Sequence, residues 1–178
     1  MNDPVIVIVN NLVLIVCIIL IIVGISIVWT SVIGAPWVPT PGDTVRKMLE
    51  LAKVDQNDTV IDMGSGDGRI IIIAAEEFGA DAIGIEADPL RVLWSRIRIR
   101  RQGLSNKASI IWGNFYNQDL SDATVITIYQ FEPVNNKLKS KFTSELKPGT
   151  RIVSYSFPFK DWTPIETNED PKIYLHII

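Results

Sequence analysis

The chain has 178 residues, 47% of them hydrophobic, with 17 Lys+Arg, 20 Asp+Glu and a formal net charge of −3. A balance so close to neutral names no partner for the molecule as a whole. The single cysteine, Cys17, excludes an intrachain disulfide and a zinc cluster built on cysteines.

The charges are unevenly spread: every ionisable side chain except Asp3 falls at Asp43 or beyond. Leu12 to Trp29 carries no charge, and the apolar character continues through Val32-Ile33. At 1.5 Å per residue, about 20 such residues cross a hydrocarbon core of about 30 Å, which predicts a transmembrane helix over residues 12–33. Asn10-Asn11 then sits at one boundary, with Trp29 and Trp37 near the other, where indole rings favour the interface. A cleaved signal peptide fits less well: no basic region precedes the run, the run is too long, and Pro36 follows the small pair Gly34-Ala35. Arg46, Lys47 and Lys53 follow the helix and no Lys or Arg precedes it, so the positive-inside tendency faces the remainder to the cytoplasm. The expected division is residues 1–35 as an anchoring segment and 36–178 as a separate soluble domain.

"GAPWVPTPGD" joins the two and cannot carry a helix through Pro36, Pro39 and Pro41. Val45, Met48, Leu49 and Ala52 then repeat at helical spacing over Thr44–Ala52. Strand-like runs follow at 59–63, 82–86, 108–112, 124–129 and 151–155, with helical runs at 68–78, 90–102 and 135–146 in three of the gaps. Such alternation predicts an α/β fold with a mostly parallel sheet covered on both faces. "GNFYNQDLSDA" is too short and polar for a crossover helix, so a loop or one helical turn crosses there. "DWTPIET" and "KIYLHII", separated by "NEDP", predict a C-terminal hairpin that closes the sheet with an antiparallel last strand.

The most informative stretch is "VIDMGSGDGR", residues 60–69. Gly64, Gly66 and Gly68 allow positive φ and remove the Cβ atoms that would keep a ligand from the backbone, and Ser65 lies between the first two. A helix start beyond them offers free N–H groups. The dinucleotide pattern G-x-G-x-x-G is not met, because Arg69 stands where its third glycine belongs. Asp62, at the strand end, repels a pyrophosphate and attracts an ammonium. Glu86 ends the second strand, where a carboxylate can accept from both ribose hydroxyls. Asn114 follows the third, where it can pair with an adenine edge. A cationic amino-acid end, a ribose and an adenine together make S-adenosylmethionine, the expected cofactor.

The spacing Asp-x-Gly-x-Gly-x-Gly resembles the first motif of the seven-stranded S-adenosylmethionine-dependent methyltransferases. "PTPGDTVRKMLELAKV", "DMGSGDGRI" and "ELKPGTRIVSYSFPFKDW" are similar to archaeal protein-lysine methyltransferases and their membrane-anchored mitochondrial relatives. The resemblance implies a Rossmann-like methyltransferase sheet and methyl transfer to lysine ε-amines of proteins. It implies a Pro-Thr-Pro segment closing over the cofactor, Thr40 near its methionine end, and Tyr129, Gln130 and Phe131 near the acceptor amine. "YQFEPV" departs from the family's sequences at that last position.

A lysine acceptor must arrive neutral, and an aromatic rim of Tyr129, Phe131, Phe157 and Trp162 can desolvate it; each ring can equally be core packing. His176 reads as a packed or exposed histidine, and no His, Cys and carboxylate constellation suggests a metal. The run "LRVLWSRIRIRR" carries five arginines able to meet RNA or headgroups, but Leu90, Leu93, Trp94 and Ile97 at helical spacing favour a solvated face over a buried one. No nucleic-acid partner is expected. Tethering favours membrane-borne protein acceptors. Methylation of a lipid or lipophilic small molecule, or a cofactor-binding scaffold without turnover, stand as the alternatives.

Overall fold

The computed structural model describes residues 3–33 and 37–178. Helix α1 spans Pro4–Ile33 and opens on Asp3, whose carboxylate accepts from Val5 N–H at 2.9 Å. It runs straight through Asn10-Asn11, so the expected boundary there lies inside the helix; apolar Val5–Val9 extends the run toward the N-terminus. Its 30 residues amount to about 45 Å of helix. Residues 4–21 are exposed, and neither hydrophobic core draws on them. Pro36 and Gly34-Ala35 lie outside the described residues.

After Pro41 the chain forms α2 (Gly42–Leu51), then β1 (Thr59–Met63), α3 (Arg69–Glu77), β2 (Asp81–Glu86), α4 (Pro89–Arg101) and β3 (Ala108–Trp112). A single 3₁₀ turn at Phe115–Asn117 crosses to β4 (Val125–Ile128), as the short polar gap required. There follow α5 (Glu132–Glu145), β5 (Arg151–Tyr155), β6 (Glu166–Glu169) and β7 (Lys172–Ile177).

The seven strands lie in the order β3-β2-β1-β4-β5-β7-β6, with β7 antiparallel to both of its neighbours and the other pairings parallel. The hairpin begins later than expected. Pro164 has no N–H for a ladder, and Trp162 turns inward onto Phe159 and His176 at ring separations of 5.2 and 5.0 Å. His176 is fully buried in that cluster, and burial pulls its imidazole down to about 4.

Side-chain alternation divides the core. Val60, Ala82, Val125 and Val153 face α2 and α3 on one side of the sheet, while Ile61, Ile85, Ile126 and Ile152 face α5 on the other. The strand order reverses between β1 and β4. In open α/β sheets the crevice beyond the carboxyl ends of strands at such a reversal receives ligands.

Helix α4 corrects one expectation. Leu90, Leu93 and Trp94 are exposed, and the buried side is Val92, Ser95 and Ile99. The glycine turn sets this phase: Ser95 Oγ donates to Gly66 O at 3.0 Å, and a Cβ at Gly68 would stand 3.1 Å from the same hydroxyl. Only a small residue fits there, so the leucines rotate outward.

Candidate active site

The chain leaves β1 through a turn whose shape depends on positive φ at Gly64 (+85°), Gly66 (+56°) and Gly68 (+77°). The N–H groups of Gly64 and Ser65 both donate to Ile85 O on β2, at 2.9 and 3.0 Å, and Gly68 N–H closes back on Ser65 O at 2.9 Å. Gly66 N–H is held by Glu86 Oε2 at 2.8 Å. The turn is thus fixed to the end of β2 by its own backbone N–H groups.

Asp67 clamps the turn from outside. Its carboxylate pairs with Arg69 and Arg98, each at 2.8 Å. Burial pushes its carboxyl up, but the hydrogen bonds and charge of Arg69 with the charge of Arg98 outweigh that and hold it below the usual range. Arg98 also donates to Asp67 O at 2.7 Å. Arg69 reaches the other way and donates to Thr40 O at 2.8 Å, fastening the Pro-Thr-Pro segment to the turn. Neither role is legible in the sequence, because each arginine acts on backbone oxygens that only the fold brings within reach.

A cleft opens above the turn. Its floor is Asp62, Gly64, Ser65, Gly66 and Glu86; Trp37 to Thr40 form one wall, and Tyr129, Gln130, Phe131 and Phe157 another. The expected site residues Thr40, Asp62, Gly64, Ser65, Gly66, Glu86, Tyr129, Gln130 and Phe131 are all brought together here. Gly68 and Asn114 are not. Gly68 packs against Ser95, and Asn114 spends its carboxamide oxygen capping the 3₁₀ turn, accepting from Tyr116 N–H at 3.0 Å. Phe115 lines the cleft in its place. Trp162 belongs to the buried His176 cluster and not to the rim. Trp37, expected at a membrane boundary, lies on the turn: a Cβ at Gly66 would come within 2.5 Å of its Nε1, and Arg91 stacks on its ring at 5.4 Å.

Asp62 governs the electrostatics. It is paired in register with Thr127 of β4, whose hydroxyl donates to it at 2.8 Å, and it makes no ion pair among the described residues. Burial raises its carboxyl from 3.8 to about 7; the Thr127 bond opposes this, and Glu86 and Asp67 add to it. A buried carboxylate without a counter-charge suits a ligand that brings its own cation. Glu86 accepts from Gly66 N–H and from Asp88 N–H at 2.9 Å, which fixes its position at the rim of the turn and leaves lone pairs for hydroxyls. Gln130 covers Gly64, and its Oε1 is buried without a partner among the described residues.

The opposite wall is aromatic. Tyr129 lies 4.5 Å from Tyr155 and 6.1 Å from Phe157, and Phe131 meets Phe157 edge-on at 5.3 Å. Burial, with a smaller push from Tyr155, raises the Tyr129 phenol above its usual range, so it stands in the cleft as a neutral group. Among the described residues no group of three His, Cys, Asp or Glu is placed to hold a metal ion.

Strand order, switch point and acidic-ended strands around a glycine turn define an S-adenosylmethionine-dependent methyltransferase, and the cation-seeking Asp62 and hydroxyl-seeking Glu86 fit that cofactor. Residues 62–166 match the family model described as the ANTKMT methyltransferase domain. The chain is 45% identical over 150 residues to a protein-lysine N-methyltransferase of Saccharolobus islandicus, covering 80% of this chain and 93% of that protein. It is 32% identical over 129 residues to a Xenopus laevis lysine N-methyltransferase named for ATP synthase, covering 72% of this chain and 56% of the relative. The chain therefore spans little more than half of that vertebrate protein. A crystal structure described as an RNA methyltransferase from Salinibacter ruber with S-adenosyl-L-homocysteine superposes with a TM-score of 0.77 at 41% identity, covering 79% of this chain and 94% of that one. This chain belongs to the ANTKMT methyltransferase family.

Proposed function

We propose that the protein transfers methyl groups from S-adenosylmethionine to lysine ε-amines of proteins. The observation that carries this is one cleft with an unpaired buried carboxylate on its floor and a neutral aromatic wall facing it. In this reading Thr40, Asp62, Gly64, Ser65, Gly66 and Glu86 hold the cofactor, Asp62 receiving its ammonium. When bound, the cofactor supplies a methyl already activated on a sulfonium, so the protein's task is to position and desolvate.

An acceptor lysine ordinarily titrates near 10.4, and only its neutral form has a lone pair to form the new C–N bond. Tyr129, Phe131 and Phe157 disfavour the charged ammonium by excluding water. Gln130 lines the cleft between these rings, the place from which it would meet the incoming amine. The name of the Saccharolobus relative, which the chain covers almost end to end, supports lysine as the acceptor.

We further propose residues 1–35 as a membrane anchor and 36–178 as the catalytic domain, facing the cytoplasm. Helix α1 is long and apolar enough to cross a bilayer, and its residues 4–21 already meet that by length and composition. Tethering then enriches acceptors borne on the same membrane.

The test is to incubate the full chain with membranes and tritiated S-adenosylmethionine, and to follow the label. Label removed by protease and located on lysine by mass spectrometry is expected. RNase-sensitive label sinks the proposal in favour of RNA, the acceptor in the name of the Salinibacter structure. Chloroform-soluble label favours a lipid instead.

A further inference from the structure

Helix α4 presents to solvent what its spacing assigned to a core. Leu93 is 57% exposed and Trp94 52%, with Leu90 a turn earlier on the same face. Beside them Trp112, on edge strand β3, is 63% exposed, and its indole N–H donates to Ala87 O, just before the helix. Lone exposed apolar residues are ordinary; four large ones on adjoining elements mark an interaction surface.

Cations frame this patch. Arg91 and Arg98 are engaged by Glu86, Asp88 and Asp67. Arg96, Arg100 and Arg101 are exposed and make no ion pair among the described residues. A helix with Leu and Trp on its outer stripe and arginines beside it and in its last turn suits the boundary between headgroups and acyl chains.

Chain length adds an independent constraint. Three residues, and so four Cα–Cα steps, separate Ile33, the end of α1, from Trp37, a reach of at most about 14 Å. Trp37 in turn is stacked beneath Arg91 of α4. The first turns of α4 therefore cannot lie far from the end of α1.

We propose that the Leu90, Leu93, Trp94 and Trp112 face docks on the anionic headgroup layer of the membrane that α1 spans, with Arg96, Arg100 and Arg101 meeting lipid phosphates. This rests on α1 being a membrane anchor. The apolar, uncharged centre of the patch and the short tether favour a bilayer over RNA, whose phosphates call for cations at the centre and not only at the rim.

The full chain, with Cys17→Ser and a nitroxide on Leu93→Cys, is reconstituted in phosphatidylglycerol-containing vesicles; a second sample carries the label on Ser144→Cys, exposed on α5 at the opposite sheet face. The label at 93 is expected to be relaxed by lipid-soluble oxygen and shielded from a water-soluble nickel chelate, with the reverse at 144. Arg100→Gln with Arg101→Gln should shift the docked population at least tenfold toward the aqueous state, as should purely zwitterionic vesicles. A label at 93 as aqueous as that at 144, in chain that survives an alkaline wash, overturns docking and leaves the anchor standing. A label at 93 shielded from both reagents means protein covers the face, and also overturns docking. Release of the chain by the wash overturns anchor and docking together.

Discussion

The floor and the aromatic wall of the cleft are built in different ways. The floor is made largely of backbone from one continuous stretch, residues 62–69, tied to the end of β2 by hydrogen bonds from Gly64, Ser65 and Gly66. The wall, proposed to meet the acceptor, is made of side chains from separate segments, Tyr129–Phe131 and Phe157, whose rings pack on one another. A backbone cradle is set by where glycine stands. A side-chain rim can vary ring by ring without disturbing the fold, which suits the part of an enzyme that meets different acceptors.

Removing the charge at Asp62 should have the largest effect. Asp62→Asn keeps the Thr127 contact but withdraws the carboxylate, and cofactor affinity by calorimetry should fall roughly 10- to 100-fold, the range for a charge-assisted hydrogen bond. Retained affinity would mean the cradle works by shape alone. The wild-type affinity should also weaken as pH falls below about 7, because the free protein then carries Asp62 protonated. The corresponding stability has the opposite slope. A raised carboxyl stabilises the free fold in its protonated form, so that contribution is present below about 3.8 and is lost as pH rises through about 7. Asp62→Asn should flatten both dependences, and thermal melts across that range would check the second.

Gly66→Ala comes next. Positive φ costs an alanine about 1–2 kcal/mol, and its Cβ also meets the Trp37 indole. Adding Trp37→Ala should recover only the steric part, which a double-mutant cycle in urea would separate. The smallest effect should come from Phe131→Ala. Truncating one half-exposed ring should raise KM for a protein acceptor roughly 3- to 10-fold and leave cofactor affinity unchanged. A matching loss in cofactor affinity would abolish the distinction between floor and wall.

The same contrast accounts for what is legible in the sequence. The β1 strand, the glycine turn and α3 are local, so residue spacing locates them within a residue or two. The acidic ends of β1 and β2 are equally legible, because strand length fixes where Asp62 and Glu86 emerge. Asn114 follows from the same logic, yet its side chain caps the turn that follows, a competing local use. Gly68 reads as a ligand residue, but its missing Cβ serves helix packing. The phase of α4 is illegible because it depends on Ser95 fitting a turn some thirty residues earlier. Trp162 falls elsewhere than expected for a related reason: a large ring goes where a cavity exists, and cavities are made by the whole chain.

The bond from Arg69 to Thr40 O joins the glycine turn to the chain segment that follows α1. Its consequence is thermodynamic reciprocity. If steadying residues 37–41 tightens a ligand at the turn, that ligand must, by the same factor, quiet the segment. The strap is thus coupled to the site, and protease protection across residues 37–41 would report cofactor occupancy.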